Sequence, residues 1–212
     1  MNINKLLLLV IVYFISLTFS SVLAEEIKEP VYNSGDSWRI NYSHKSTISA
    51  TDVLPSGTYD IVFDGKEFTV FTVENGERGA EYLPLGRVRR SFFVFLTPEP
   101  FEVKVPMFKF PLVEGTTWEG EFFSKEGTDR RGSTVKAKVT VLGQEEVAVP
   151  AGTFRAYKIS REEALGQPKQ KIYTYWYSPV AKCVVKMEVK TVGPVYRLNL
   201  QELPPAQIAA IQ

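Results

Sequence analysis

The chain has 212 residues, with 25 lysines and arginines, 24 aspartates and glutamates, and a formal net charge of +1. Because non-specific nucleic-acid binding needs a clear basic excess, this near-neutral charge argues against a nucleic-acid partner. The sequence contains one histidine and one cysteine. These are too few for the common zinc motifs or an intrachain disulfide, so we expect no metal and no cofactor.

The first 24 residues are predicted to be a secretory signal helix. Lys5 supplies the basic start, residues 6–19 are almost wholly apolar, and Val22-Leu23-Ala24 has the short residues that precede a cleavage site. The apolar run is shorter than the roughly 20 residues of a spanning helix. We therefore expect cleavage after Ala24.

The mature chain would run from Glu25 to Gln212, and loss of Lys5 would leave 24 basic residues against 24 acidic ones. No cysteine stands directly after the apolar run, where a lipid would be attached. We therefore expect a soluble periplasmic protein that does not span the membrane. Its predicted parts are an extended lead-in over residues 25–34, one β domain over residues 35–203, and a tail over residues 204–212.

From residue 37 onward apolar residues recur at every second position, which is typical of half-buried strands. Short stretches with helical character are confined to residues 161–166 and the tail from Pro205. The pattern predicts an all-β, mostly antiparallel meander with these strands: 37–45, 58–64, 67–74, 80–83, 91–97, 101–105, 115–124, 133–142, 145–149, 153–160, 171–177, 183–190 and 195–202.

Four turns punctuate the strands. Pro150-Ala151-Gly152 and its echo Pro55-Ser56-Gly57 combine a proline with a following glycine, which is typical of a type II turn. Asp64-Gly65 and Asn75-Gly76 are strong hairpin signals. We therefore expect tight connections between consecutive strands at these places.

The two proline turns also suggest an internal repeat. Pro55, Gly57 and Tyr82 are matched 95 residues later, and Trp38 and Tyr42 are matched 80 residues later by Trp118 and Phe122. This predicts two related units, residues 35–111 and 112–203, the second with an additional strand over residues 133–142. Since neither unit has a second layer, we expect them to share one core as a barrel or a strongly curved half-barrel.

No nucleophile elbow, phosphate loop or paired-histidine motif is present, so no catalytic residue is predicted. His44, the single histidine, ends the first apolar series and is expected to be structural. The one distinctive chemical feature of the sequence is its content of aromatic residues. A curved sheet can hold an apolar or lipid-like ligand against such rings, and the expected ligand-binding residues are Trp38, Tyr42, Trp118, Phe122, Tyr175 and Tyr177, with core packing as the simpler alternative.

Two other functions remain open at this point. A protein-interaction module of the cell envelope would present Phe108, Phe110 and Leu112 as an exposed apolar patch to a protein partner. An enzyme acting on polysaccharide is a more distant alternative, for which the acids that share strand faces are the candidates: Asp60 with Asp64, and Glu119 with Glu121.

Three stretches together resemble a family of exported bacterial proteins known only as a domain of unknown function. They are Gly115-Thr-Thr-Trp118, the run EEVAVPAGTF from Glu145 to Phe154, and Tyr175-Trp-Tyr-Ser-Pro179. The resemblance implies an all-β envelope protein, related in shape to the half-barrels that carry lipoproteins or lipids in the periplasm. It implies no catalytic residue.

Overall fold

A computed structural model describes residues 27–45, 55–81, 105–124, 133–164, 170–191 and 195–203. Within these ranges the chain forms strands and no helix, which confirms the all-β prediction. The ten strands are β1 (Ser37–Lys45), β2 (Gly57–Phe63), β3 (Phe68–Glu74), β4 (Glu77–Glu81), β5 (Thr117–Ser124), β6 (Ser133–Val149), β7 (Gly152–Ala164), β8 (Gln170–Ser178), β9 (Cys183–Thr191) and β10 (Val195–Glu202).

All ten strands belong to one antiparallel sheet, in the order β4-β3-β2-β1-β10-β9-β8-β7-β6-β5. Two meanders, β1–β4 and β5–β10, are joined because the first strand pairs with the last, from Arg39 opposite Glu202 to Lys45 opposite Val195. The edge strands β4 and β5 do not pair with each other within the described ranges. The sheet is therefore strongly curved and open, the half-barrel form of the prediction.

The longest hairpin, β6–β7, bends back onto the sheet. A register shift between Val141 and Gly143 interrupts it, and Gly143 has a φ of +124°. Beyond the bend, the Ala151 N–H donates to the Leu200 carbonyl of β10 at 3.3 Å. The two strands expected over residues 133–142 and 145–149 are thus one bent strand of 17 residues.

The turns differ from expectation in one detail. Asn75 and Gly76 both have positive φ, as the β3–β4 hairpin requires, and Asp64 Oδ1 accepts the N–H groups of the β2–β3 loop. Across Pro150-Ala151, however, Val149 pairs with Gly152, and the positive φ lies at Gly152. A type II turn would need a positive φ at Ala151, so that expectation was wrong. The one for Pro55-Ser56-Gly57 was wrong too, since neither Ser56 nor Gly57 has a positive φ.

The helical expectation was also wrong for residues 161–164. Residues 161–164 continue β7, pairing with β6 on one side and β8 on the other. Their helix-forming side chains are overridden because two neighbouring strands satisfy the backbone. Residues 165 and 166 and the tail from Pro205 lie outside the described residues.

The strand layouts of the two proposed units differ. β1 pairs directly with β2, whereas β6 lies between β5 and β7. An offset of 95 residues also places the turn Asp64-Gly65 opposite Ile159-Ser160, which lies inside β7. The repeat therefore stays a prediction, and residues 82–104, which include Tyr82 and the expected strands 91–97 and 101–104, lie outside the described residues.

Buried apolar side chains from both meanders form one cluster. Two non-strand segments complete it, residues 27–36 and 105–112, linked by an isolated bridge between Ile27 and Leu112. Cys183 is buried, as expected for a lone cysteine, and burial raises the pKa of its thiol. Among the described residues, none belongs to a helix of the length and apolar character needed to cross a membrane.

Candidate functional site

Strand register brings all six predicted ligand-binding residues to the same side of the sheet, here called the inner face. Residues directly opposite each other in antiparallel strands share a face, and so do residues two apart along a strand. The pairings that connect the six run Tyr42–Leu198, Leu198–Met187, Met187–Tyr175, Tyr175–Ile159, Ile159–Val141 and Val139–Trp118, with Trp38, Tyr177 and Phe122 at even spacing along their strands.

Four of the six are sealed in the core: Trp38, Tyr42, Tyr175 and Tyr177. Trp38 is 1% exposed and donates its indole N–H to the Ala181 carbonyl at 2.6 Å. Such a residue contacts the protein itself on every side. The structure therefore places these four as packing residues of the inner face.

Tyr177 is covered by the segment of residues 105–112. The Phe108 ring lies 5.3 Å and the Phe110 ring 5.8 Å from the Tyr177 ring, centroid to centroid. Phe108 is 7% and Leu112 0% exposed, so the expectation of an exposed patch at Phe108, Phe110 and Leu112 was wrong for these two, and Phe110 is half-buried. The physical reason is that a single-layer sheet leaves its aromatic face open to water until apolar side chains cover it.

The other two predicted residues, Trp118 and Phe122, are only half-buried, and so is Tyr173 on β8. We call these three the aromatic rim. The Trp118 indole N–H donates to the Pro106 carbonyl at 2.8 Å, and Tyr173 stacks on Tyr175 with ring centroids 6.1 Å apart. The rim therefore combines two of the six predicted residues with Tyr173, and all three remain partly exposed.

Two charged residues lie on the inner face between the rim residues, and sequence analysis missed both. Arg161 is 7% and Glu163 8% exposed. Arg161 pairs across the strands with Tyr173, and its Cζ lies 5.4 Å from the Phe122 ring centroid. The available signal was that Arg161 and Glu163 continue the alternation of Tyr157 and Ile159, which is visible only if β7 is extended past Ser160.

The hydrogen bonds of this pair are incomplete. Arg161 Nε donates to Glu163 Oε1 at 2.7 Å, and Arg161 Nη1 donates to the Val105 carbonyl at 2.8 Å. Among the described residues, neither Arg161 Nη2 nor Glu163 Oε2 has a partner. Both atoms keep access to solvent. Among the described residues, the side-chain polar atom that is both sealed from solvent and without a partner is Gln144 Oε1, not an atom of this pair.

Small side chains make room for the pair. Gly120 lies opposite Ala137, Ala137 opposite Glu163, and Glu163 opposite Lys171. This row therefore has almost no side-chain bulk on β5 and β6, between the rows that carry Trp118 and Phe122. A guanidinium and a carboxylate fit there without displacing a ring.

The acids considered for an enzyme are held in other contacts. Asp60 accepts from Arg39 and Arg78, and Asp64 caps its turn, whose backbone N–H groups lower its pKa. Glu119 and Glu121 form exposed ion pairs with lysines of β6 on the outer face, where a recess of about 410 Å³ lies. The recess is thus on the side of the sheet opposite the predicted residues.

Potential metal ligands are scattered. In the described ranges no three His, Cys, Asp or Glu side chains lie together in a way that could hold a metal ion. His44 pairs with Tyr196 through the backbones of β1 and β10, and its side chain lies outside what the structure describes.

Comparison with known proteins gives structural likenesses of low similarity. No protein-family model matches the sequence, and no curated protein matches it. A protein from Bacteroides fragilis described as exported, with a YmcC-like fold, is 13% identical with a TM-score of 0.35 over 84% of this chain and 99% of its own. A protein from Parabacteroides distasonis described as a lipoprotein gives the same four values.

The hypothetical lipoprotein YmcC from Escherichia coli is 10% identical, with a TM-score of 0.32 over 89% of this chain and 96% of its own. These neighbours are thus described as exported proteins or lipoproteins, and their names assign no activity. With TM-scores below 0.5, the similarities define neither a family nor a function for this chain.

Proposed function

We propose that the protein is a non-enzymatic, exported protein of the cell envelope that binds an apolar or lipid-like ligand at the aromatic rim. It would be delivered to the periplasm and cleaved after Ala24, as the charged start, apolar run and short residues of the N-terminus suggest. The single observation that carries the binding proposal is the half-exposure of Trp118, Phe122 and Tyr173 beside a closed core.

Exposed aromatic rings on an otherwise covered face are favourable sites for an apolar ligand. Each ring offers a large contact area with little side-chain entropy to lose, and burying it returns about 25 cal/mol per Å² of apolar surface. The four sealed residues do not need a ligand to exclude water. The proposal therefore assigns ligand contact to the rim and a packing role to Trp38, Tyr42, Tyr175 and Tyr177.

The test uses the fluorescent apolar probe N-phenyl-1-naphthylamine and the full protein isolated from a periplasmic extract, with an intact mass that should correspond to residues 25–212. We expect saturable binding of the probe. Phe122→Ala should weaken it about fivefold to tenfold, since loss of one well-placed aromatic contact removes about 1–1.4 kcal/mol in typical sites.

Val180→Ala is the matched control, because Val180 is an apolar side chain that is 49% exposed on the turn before β9, away from the rim. It should leave probe binding unchanged. Circular dichroism of both variants checks that the fold is intact. If the native protein fails to bind the probe, or if both variants bind it equally well, the rim is not a ligand site.

A further inference from the structure

We propose that the ligand of the aromatic rim carries an uncharged head group with hydroxyls, held by Nη2 of Arg161 and Oε2 of Glu163. This inference rests on the proposed function, since it names the chemical class of the ligand for that same site. It goes further because the rim alone would accept any apolar molecule. The buried pair adds a requirement on the polar end of the ligand.

The first step concerns the hydrogen bonds that the pair can still form. Nη2 carries two N–H donors, and Oε2 is a carboxylate acceptor. Each belongs to a residue that is more than nine-tenths buried, and neither has a partner among the described residues. Both atoms keep access to solvent, so they are free to bond to water when no ligand is present. An incoming group that pairs both atoms would replace that water with two bonds to charged groups, which are stronger than bonds between neutral groups.

The second step is the match between the two atoms and a hydroxyl-bearing group. A hydroxyl both donates and accepts. Two neighbouring hydroxyls could therefore accept from Nη2 and donate to Oε2 at once. The Arg161–Glu163 contact of 2.7 Å holds the two groups side by side, so both are within reach of one head group.

The third step concerns charge. A carboxylate, phosphate or sulfate head group would supply acceptors for Nη2 but would place a negative charge against Oε2 of Glu163. Lys171, which lies opposite Glu163 on the same face, already has an interaction of its own and is not a free cation for such an anion. The pair therefore favours an uncharged head group over an anionic one.

The fourth step is the position of the rings. The Arg161 guanidinium lies over the Phe122 ring at 5.4 Å and opposite Tyr173 along the strand pairing. A head group bound to the pair would thus have aromatic surface beside it for an attached alkyl chain or for the C–H face of a sugar ring. Glycolipids, acylglycerols and free saccharides all share this chemistry.

The experiment compares competitors of N-phenyl-1-naphthylamine on the full protein, each below its critical micelle concentration. Octyl β-glucoside carries hydroxyls and octyl sulfate carries a negative charge on the same alkyl chain. We expect octyl glucoside to displace the probe about tenfold more effectively, the scale of one hydrogen bond to a charged group. Glucose without a chain separates the two sources: equal binding indicates a saccharide ligand, and much weaker binding indicates an amphiphile.

The decisive variant is Glu163→Gln, which keeps the shape of the side chain and removes its charge. It should raise the effectiveness of octyl sulfate relative to octyl glucoside by about tenfold, because the repulsion between Oε2 and the anion is gone. Glu119→Gln is the matched control, since it removes the same charge from the exposed outer face. It should leave the ratio unchanged.

Should Glu163→Gln fail to fold, the comparison of octyl sulfate with octyl glucoside on the native protein still decides the matter. Equal displacement by the two, or a ratio that Glu119→Gln shifts as much as Glu163→Gln does, overturns the inference about the head group. Failure of the probe itself to bind overturns the proposed function instead, so the two failures are distinguishable.

Discussion

The two meanders each carry an arginine–carboxylate pair, and the pairs are built differently. Arg39 lies directly opposite Asp60 on neighbouring strands of the outer face and binds it through two contacts, Nε to Oδ1 at 2.7 Å and Nη2 to Oδ2 at 3.1 Å. Arg161 and Glu163 lie two apart on one strand of the inner face and share a single contact. Directly opposed side chains allow the guanidinium fork to face a carboxylate, whereas side chains two apart run parallel.

The Arg39–Asp60 pair is thus structural, whereas the Arg161–Glu163 pair keeps atoms that can form further hydrogen bonds. Asp60 also accepts from Arg78, while Arg39 also donates to Glu202, and the bonded Asp60 raises the pKa of Arg39. The charged side chains of that group pair with one another and join neighbouring strands. On the inner face of the other meander, Arg161 Nη2 and Glu163 Oε2 can still bind another group.

The largest expected effect concerns the two tryptophans that begin β1 and β5. Trp38→Ala should lower the free energy of unfolding by about 3–5 kcal/mol, because it empties a sealed aromatic site. Trp118→Ala should cost about half as much, since part of its ring is already in contact with water. Both substitutions remove one indole hydrogen bond to a backbone carbonyl, so that loss cancels in the comparison.

Urea unfolding at equilibrium measures both values. Equal costs for the two substitutions, as the repeat in the sequence would predict, would mean that Trp118 is packed as tightly as Trp38. In that case the rim would have no surface to offer a ligand.

The next effect sets the two charged pairs against each other. Asp60→Ala should cost about 2–3 kcal/mol, because it removes the partner of two arginines at a site that is largely buried. The double substitution Arg161→Met with Glu163→Met should change stability by no more than about 1 kcal/mol in either direction, since apolar side chains replace a buried ion pair at little net cost.

The same double variant should lose the preference of the protein for octyl glucoside over octyl sulfate. Thermal unfolding and probe displacement on one preparation give both readouts. A loss of stability as large as that of Asp60→Ala would identify the second pair as structural as well.

The smallest effect comes from the outer face of the second meander. Glu145 accepts from the Trp176 indole at 2.5 Å and from Lys158 at 3.3 Å, and these contacts, the first above all, lower its pKa from the ordinary value of 4.5. Because the folded pKa is lowered, the contribution of Glu145 is present above pH 4.5 and is lost as the pH falls through the folded value. Glu145 is partly exposed, so the contribution is below about 0.5 kcal/mol.

Urea midpoints at pH 7 and pH 3 test this. Glu145→Gln should be slightly destabilising at pH 7 and indistinguishable from the native protein at pH 3. Glu146→Gln, at the neighbouring exposed position, serves as the control. A deficit of Glu145→Gln that persists at pH 3 would assign the effect to lost packing rather than to charge.

Much of the fold could be predicted because period-two alternation is a local property. Each of the described strands overlaps an expected one, and the hairpins at Asp64-Gly65 and Asn75-Gly76 follow from residues that tolerate positive φ. Alternation does not state which strand lies beside which. The pairing of β1 with β10 joins residues 163 positions apart, for example Arg39 with Glu202, and no local pattern encodes it.

The site was predictable only in part, for a related reason. Aromatic parity placed Trp118 and Phe122 on one face of β5, as the structure has them, but half-exposure depends on which segments cover that face. Residues 105–112 cover Tyr177 and leave the rim partly exposed, which the sequence of either strand does not determine. Arg161 and Glu163 were missed because residues 161–166 were expected to be helical, so the alternation of β7 was not followed past Ser160.

The position of the last strand beside the first has a consequence for how the molecule is made. The centre of the sheet joins Ile40 to Leu200, so the core stays incomplete until β10 has been synthesised. Early-emerging strands β1–β4 lack their central neighbour, and contacts of such long sequence separation form slowly. We therefore expect the nascent chain to stay unfolded until β10 has been made, and an unfolded polypeptide is the form that can be threaded through a narrow translocation channel.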